Sequence, residues 1–283
     1  PGAYDIVPRV RTVYPRENGE FADLDRLIDE FIVDKAVPPF FGRGTRFFTQ
    51  GSCFAENLNT TLQSLGYRSY YNQMIEALNS PVANAIYLSE LASTRDHAVA
   101  GELRAAEVFI LTIGVAPCWF LKATGQFVFE PNLRRIGDYV QRTLPVAEAR
   151  DALLHTFKMV RQINPAMKIV LTLSPVPLGR TFEFHSAIVA DALEIIPLEP
   201  LDALSKASLR AAIHEALQAY EGDDPPFYFP SFEIVRWVGA HRGEAFGDDG
   251  LPRHVSKHYV EAIIRAFIRN YGIDAAGASA KKG

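Results

Sequence analysis

The chain has little sulfur and no long apolar run. Two cysteines and three methionines occur in 283 residues. Cys53 and Cys118 are too few for a disulfide scaffold, and they exclude a cysteine-rich metal site. Such sparse cysteine suits a reducing compartment, and a bacterial cytoplasm is the expected location. No apolar stretch reaches the length of a membrane span, so no transmembrane segment is expected. No signal-peptide pattern follows Pro1, although a start on Pro1 leaves an excised targeting segment open. Basic runs are also missing. The net charge is −4, so nucleic acid is not an expected partner. A small neutral or modestly charged substrate fits better. Gly-rich nucleotide motifs are absent, since Gly42-Arg43-Gly44 precedes a strand instead of following one. His254 and His258 stand one helical turn apart, but the glutamate of a His-Glu-x-x-His motif is missing. Neither a metal nor a cofactor is expected.

What is present is an alternation of short apolar strands with helices. Strands are expected at 46–50, 67–71, 107–113, 168–173 and 227–229. Helices are expected at 53–65, from Ser80-Pro81 to about Ala92, near 147–163, at 204–220 and at 256–271. Gly66 reads as a C-cap, and Ser80-Pro81 as an N-cap followed by proline at the first helical position. This alternation predicts a three-layer α/β/α sandwich around a parallel five-stranded sheet of flavodoxin-like order 2-1-3-4-5. In such sheets the site lies at the carboxyl ends of the strands.

Residues 1–40 read as an arm packing on the core, with a short amphipathic helix through Phe21, Leu24, Leu27, Ile28 and Phe31. Residues 41–272 form the main domain, and the small-residue, basic tail 273–283 is expected to be disordered. Two long connections follow strand ends. One, 115–146, contains Trp119, Phe120, Phe127 and Phe129. The other, 176–203, contains Arg180, Phe182, Phe184 and His185. Each is either a substrate wall or a small subdomain covering the sheet. Trp119 and Arg180 are the expected substrate-binding residues.

Gly51-Ser52 falls between a strand and a helix. A serine there either caps the helix or presents its hydroxyl as a nucleophile beside free backbone N–H groups that can hold an oxyanion. A serine nucleophile needs a base. Of seven histidines, His254 lies in Asp248-Asp249-Gly-Leu-Pro-Arg-His254, a turn-rich segment just before the last helix. An aspartate in that loop can orient the ring and stabilise the imidazolium. Cys53, beside the serine, reads as a small core residue, with a reactive thiol as the alternative.

Several motifs then resemble one family. Gly51-Ser-Cys-Phe-Ala-Glu-Asn57 looks like the signature of the GSCFA domain family. Leu111-Thr-Ile-Gly114, Leu173-Ser-Pro-Val-Pro-Leu178, Ser205-Lys-Ala-Ser-Leu-Arg-Ala-Ala212, Tyr228-Phe-Pro-Ser-Phe-Glu-Ile234 and Arg253-His-Val255 follow in the family's order. The family resembles SGNH (GDSL-like) hydrolases. That resemblance implies a serine-dependent esterase or O-acyltransferase. Ser52 matches its nucleophile, His254 its base, Asp249 its acid, and Gly114 the glycine near its oxyanion hole. Two features depart from the pattern. The third block reads Gly114-Val-Ala-Pro117 and lacks the usual asparagine, so backbone N–H groups of Ser52 and Gly114, or a side chain such as Asn79 or Asn57, must replace it. The acid stands five residues before the histidine instead of three, which leaves Asp248 as an alternative to Asp249 and a Ser–His dyad as the fallback. By analogy with the superfamily, the substrate is an acyl ester, with O-acetyl groups on a carbohydrate or glycan precursor preferred. A catalytically silent carbohydrate-binding domain is the competing reading. The oligomeric state is not legible.

Overall fold

The computed structural model describes residues 14–94, 98–180 and 196–273. In chain order its elements are α1 (Leu24–Leu27), β1 (Arg46–Gly51), α2 (Cys53–Ser64), β2 (Arg68–Gln73), α3 (Pro81–Ser93), α4 (Ala98–Ala105), β3 (Val108–Ile113), β4 (Pro117–Leu121), β5 (Phe127–Val128), β6 (Tyr139–Thr143), α5 (Val146–Ile163), β7 (Lys168–Leu173), α6 (Leu198–Gln218), β8 (Phe227–Tyr228), α7 (Ser231–Glu233), α8 (Gly239–Arg242) and α9 (Lys257–Tyr271).

Strands β2-β1-β3-β7-β8 form the five-stranded sheet, and all its pairs are parallel. Renumbered within the sheet, this is the expected 2-1-3-4-5 order. Its sequence cause is visible in β3. Val108 and Ile110 face one apolar cluster, with Phe54, Leu58, Ile263 and Phe267 of α2 and α9. Phe109, Leu111 and Ile113 face the other, with Leu88, Leu153, Phe157 and Leu209 of α3, α5 and α6. Both faces of the strand are apolar, so both must be covered by helices. Each large side chain buried this way contributes about 1.5–3 kcal/mol.

Local signals work where they are strong. Ser80 Oγ accepts from Ala83 N at the start of α3. Gly66 has φ 85° just after α2, as its C-cap role requires. The loop 115–146 is a subdomain, a three-stranded antiparallel sheet of order β5-β4-β6. Helix α6 starts at Leu198, ahead of the expected 204, and α4 was not foreseen. Before β1, the chain makes a short 3-10 turn, α1 and a π-turn over Ile28–Ile32 in place of one amphipathic helix. That segment is fastened to α9: Arg269 Nε and Asn270 Nδ2 each donate to the Asp29 carboxylate at 2.7 Å, and the Tyr271 hydroxyl donates to Asp34 O at 3.0 Å. Phe182, Phe184, His185 and the tail beyond Ile273 lie outside the described residues.

Because β1, β3 and β7 are parallel and in register, their carboxyl ends place Ser52, Gly114 and Ser174 along one edge of the sheet.

Candidate active site

The turn at the end of β1 is set by glycine. Gly51 has φ 148°, and a Cβ there would lie 1.9 Å from Thr112 Oγ1 and 2.8 Å from Thr112 O. Strand β1 can reach its end so close to β3 only without a side chain. Ser52 follows as the N-cap residue of α2 and is 4% exposed. Its hydroxyl makes no capping bond. The N–H groups of Ala55 and Glu56 donate to the Ser52 backbone carbonyl, at 2.9 and 3.2 Å. Ser80 uses its hydroxyl as a cap, whereas Ser52 does not. The Tyr71 hydroxyl braces the turn by donating to Gly51 O at 3.2 Å and Ser52 O at 3.3 Å. Burial pushes the Tyr71 phenol up to about 12, so it stays a donor. Burial, and after it the Glu76 carboxylate, push the Cys53 thiol up, which disfavours the thiolate and the reactive-thiol reading.

Asp249 does reach His254. Its Oδ2 lies 2.7 Å from His254 Nδ1, while its Oδ1 accepts from Leu251 N at 2.9 Å. The longer spacing is absorbed by a tight loop. Gly247 and Gly250 both take φ 83°, and the Gly247 N–H donates to His254 O at 2.9 Å. The Leu251 N–H, followed by His254, holds the Asp249 carboxyl below its ordinary value, so it stays ionised. Asp248 serves elsewhere: its Oδ2 accepts from Lys257 N at 2.7 Å, capping α9. No hydrogen bond joins His254 to Ser52 among those formed by the described residues. Their sequence neighbours do meet electrostatically, since Cys53 feels both the Glu76 carboxylate and the Arg253 guanidinium. Catalytic hydrogen bonds commonly close only around bound substrate.

The backbone N–H of Gly114 is not the free donor that the sequence suggested. It donates to Asn79 O at 2.9 Å, and Val115 N donates to the same carbonyl at 3.2 Å. Asn57 sits on the exposed side of α2. Asn79 is different. It is fully buried, its Oδ1 accepts from Asn84 Nδ2 at 3.1 Å, and its Nδ2 has no hydrogen-bond partner. That Nδ2 lies 3.6 Å from where a Cβ on Gly114 would stand. An unpaired buried donor is costly to keep, and here it faces the carboxyl edge of β3.

Two buried charges hold the loops around this edge, and sequence reasoning missed both. Lys206 Nζ donates to Gly114 O at 2.7 Å. Ser205 Oγ accepts from Ala116 N at 2.9 Å, and Ser208 Oγ donates to Leu144 O at 2.7 Å. One turn earlier in α6, Asp202 accepts from Leu178 N at 3.0 Å and pairs with Arg236, which also donates to Pro175 O at 3.0 Å. The signal was available: Asp202 and Lys206 occupy the same helical stripe as Leu209 and Ile213, where only apolar residues bury without partners. The Ser205–Ala212 motif therefore fastens the loop after β3. Burial pushes the Lys206 ammonium down to about 8, with Asp202 opposing and Arg236 adding to the fall. Between pH 8 and the ordinary value near 10.5 the unfolded chain binds more protons at this lysine. Stability attributable to it must then rise with pH. The unfolding free energy of wild type relative to Lys206→Met is expected to grow by about 3 kcal/mol across that window in denaturant titrations. A difference that is flat or falling would refute a lysine whose ammonium is disfavoured by burial.

Beside the site lies a cavity of about 560 Å³, lined among others by Glu76, Leu78, Val115, Trp119, Arg180 and Arg253. Leu78, Val115 and Arg253 directly adjoin Asn79, Gly114 and His254 in the chain. Both expected substrate-binding residues, Trp119 and Arg180, are in its wall. Arg253 Nη1 spans the loops by donating to Glu76 Oε1 at 2.6 Å and Pro177 O at 2.8 Å. The Tyr228–Ile234 motif is not part of this cavity's wall. It makes a clasp in which Glu233 accepts from Arg210 Nε at 2.9 Å and from the Tyr228 hydroxyl at 2.7 Å.

Comparison with known proteins sets the chain in a family. No curated protein matches it. Among solved structures, a candidate GDSL-like lipase from Parabacteroides merdae is similar at 13% identity and a TM-score of 0.44, over 83% of this chain and 99% of its own. A family 2 carbohydrate esterase with its carbohydrate-binding domain, from Corynascus thermopiles, gives 12% and 0.43, over 85% and 69%. A Clostridium thermocellum family 3 carbohydrate esterase gives 11% and 0.39, over 84% and 99%. The GSCFA family model matches residues 83–267. That span begins after Gly51–Asn57, so the match is independent of the motif read at the first turn, and it includes Lys206, Asp249 and His254. The chain belongs to the GSCFA family.

Proposed function

We propose that the protein is a serine-dependent acyl-ester enzyme, an esterase or O-acyltransferase acting through an acyl-enzyme on Ser52. The observation that carries this reading is the Asp249–His254 hydrogen bond of 2.7 Å, in a loop whose Arg253 pairs with Glu76 and acts electrostatically on Cys53, the residue after Ser52. Asp249 holds the Nδ1 proton, which leaves Nε2 as the base. On substrate binding His254 Nε2 takes the Ser52 proton while Oγ attacks the ester carbonyl. The carbonyl oxygen becomes an oxyanion, and Asn79 Nδ2 donates to it. When the tetrahedral species collapses, the C–O bond to the alcohol breaks and His254 returns the proton to the leaving alkoxide. Water then attacks the acyl-serine in hydrolysis, or an acceptor hydroxyl attacks in transfer, with His254 again taking the proton; the acyl–Oγ bond breaks on collapse and His254 returns that proton to Ser52. An oxyanion donor of this kind supports about 10²–10³ in rate. The cavity walled by Trp119 and Arg180 takes the remainder of the substrate, with an acetylated carbohydrate or glycan precursor as the preferred class; Trp119 offers a face for a sugar ring.

The test is turnover of p-nitrophenyl acetate with and without mono- and oligosaccharide acceptors. Ser52-dependent release of nitrophenol is expected. Acceleration by an acceptor, together with formation of an acetylated sugar, assigns transfer; equal rates and free acetate assign hydrolysis. Release that is unchanged in Ser52→Ala would contradict the reading.

A further inference from the structure

Beneath the Ser52 turn runs a chain of buried side-chain hydrogen bonds that ends at Asn79. The Tyr87 hydroxyl donates to Asn72 Oδ1 at 3.2 Å. Asn72 Nδ2 donates to Gln50 Oε1 at 3.0 Å, across the β1–β2 pairing in which Gln50 and Asn72 are register partners. Gln50 Nε2 donates to Asn84 Oδ1 at 2.7 Å. Asn84 Nδ2 donates to Asn79 Oδ1 at 3.1 Å and to Ser80 O at 2.8 Å. Gln50, Asn79 and Asn84 are completely buried, and Asn72 is nearly so.

The direction of this chain is fixed by one bond. Ser80 O is a backbone carbonyl and can only accept, so the Asn84 atom facing it must be Nδ2. The other Asn84 atom is then Oδ1, which requires the amide nitrogen of Gln50. Gln50 in turn presents its oxygen to Asn72 Nδ2, and Asn72 presents its oxygen to the Tyr87 hydroxyl. On the other side, Asn84 Nδ2 requires the oxygen of Asn79. Only Asn79 Nδ2 is left over, buried and without a partner, at the carboxyl edge of the sheet. Every amide orientation follows from a single carbonyl, and each donor polarises the next.

We infer that Gln50, Asn72, Asn84 and Tyr87 form a positioning relay that aims Asn79 Nδ2 at the oxyanion of the Ser52 reaction. The inference rests on the acyl-ester reading above and adds residues to it. It gives the otherwise unexplained run of amides in this core a purpose: an asparagine amide can rotate by half a turn at little steric cost, and the relay makes one of its two orientations much the better. Asn84 is the residue through which the orientation is imposed.

Asn84→Asp is the informative change. It keeps the shape and still accepts from Gln50 Nε2, but it can no longer donate to Asn79 Oδ1. The carboxylate introduced by Asn84→Asp attracts Asn79 Nδ2 instead, the Asn79 amide turns over, and the oxyanion loses its donor. With p-nitrophenyl acetate, kcat is expected to fall about 10²-fold or more while KM changes less than about twofold. Asn79→Ala should show the same split, and the double variant Asn79→Ala/Asn84→Asp should be no worse than either alone. Asn84→Leu, which puts no charge in the core, should also lower kcat without moving KM. Its uncharged side chain keeps the test decisive if Asn84→Asp fails to fold. Losses at Asn79 and Asn84 that multiply in the double variant would overturn the relay. So would a lower melting temperature with kcat per folded molecule unchanged. Turnover that is lost in Ser52→Ala yet insensitive to both Asn84 variants overturns the relay alone. A wild type that turns over no ester overturns the reading of the site and the relay with it.

Discussion

Gly51→Ala is expected to cost a large share of the protein's stability. The new Cβ would lie 1.9 Å from Thr112 Oγ1, 2.8 Å from Thr112 O and 3.2 Å from the Ala55 Cβ, all in the core. The threonine hydroxyl could be displaced by rotation, although a β-branched side chain in a buried strand has few rotamers to offer. The backbone carbonyl cannot move without pulling β3 out of register with β1. The φ of 148° adds strain that only glycine escapes. Overpacking of about 1–3 kcal/mol and backbone strain of about 1–3 kcal/mol sum to about 2–6 kcal/mol. Against a total near 5–15 kcal/mol, that is enough to lower the melting temperature by roughly 5–20 °C or to prevent folding. Thr112→Ala in the same chain removes the 1.9 Å clash but neither the carbonyl contact nor the φ, so it should restore only part of the loss. Gly44→Ala is the matched control: nothing lies within 4 Å of its Cβ position and its φ is unremarkable, so thermal unfolding should barely change. Equal effects at Gly44 and Gly51 would contradict the account of why this turn needs glycine.

The same geometry shows how far the sequence could be read. Strands buried on both faces, such as Val108–Ile113, announce themselves as unbroken apolar runs, and the strand order followed from their alternation with helices. Ser80 and Gly66 were legible because their capping chemistry is local. Ser52 was ambiguous for the same reason: a serine before a helix looks like a cap, and only the structure shows the backbone carbonyl of Ser52, not its hydroxyl, taking the helix N–H groups. The Asp249–His254 pair was legible through proximity in the chain, and its unusual spacing is reconciled by two glycines with positive φ. Gly114 misled, because a motif match says nothing about which carbonyl already holds its N–H. The roles of Asn84, Gln50 and Asn72 were not legible. Each depends on a partner far away in sequence, and no local pattern distinguishes a buried amide in a network from a polar residue on the surface.

Covalent trapping decides whether Ser52 is a nucleophile activated by His254. A fluorophosphonate reacts with a serine only when a base removes its proton and donors receive the forming oxyanion. Wild-type protein should be modified once, on the tryptic peptide from Phe47 to Arg68 that contains Ser52, as read by mass spectrometry. Ser52→Ala should take up no label. His254→Ala should be labelled about 10⁴-fold more slowly, the order of loss when a base that acts as a unit with its serine is removed. His254 makes no hydrogen bond to Ser52 in the structure as it stands, so the dependence on His254 is the decisive part. Label on Ser52 that requires His254 is the predicted result. Label elsewhere, or label on Ser52 at an undiminished rate in His254→Ala, would contradict it.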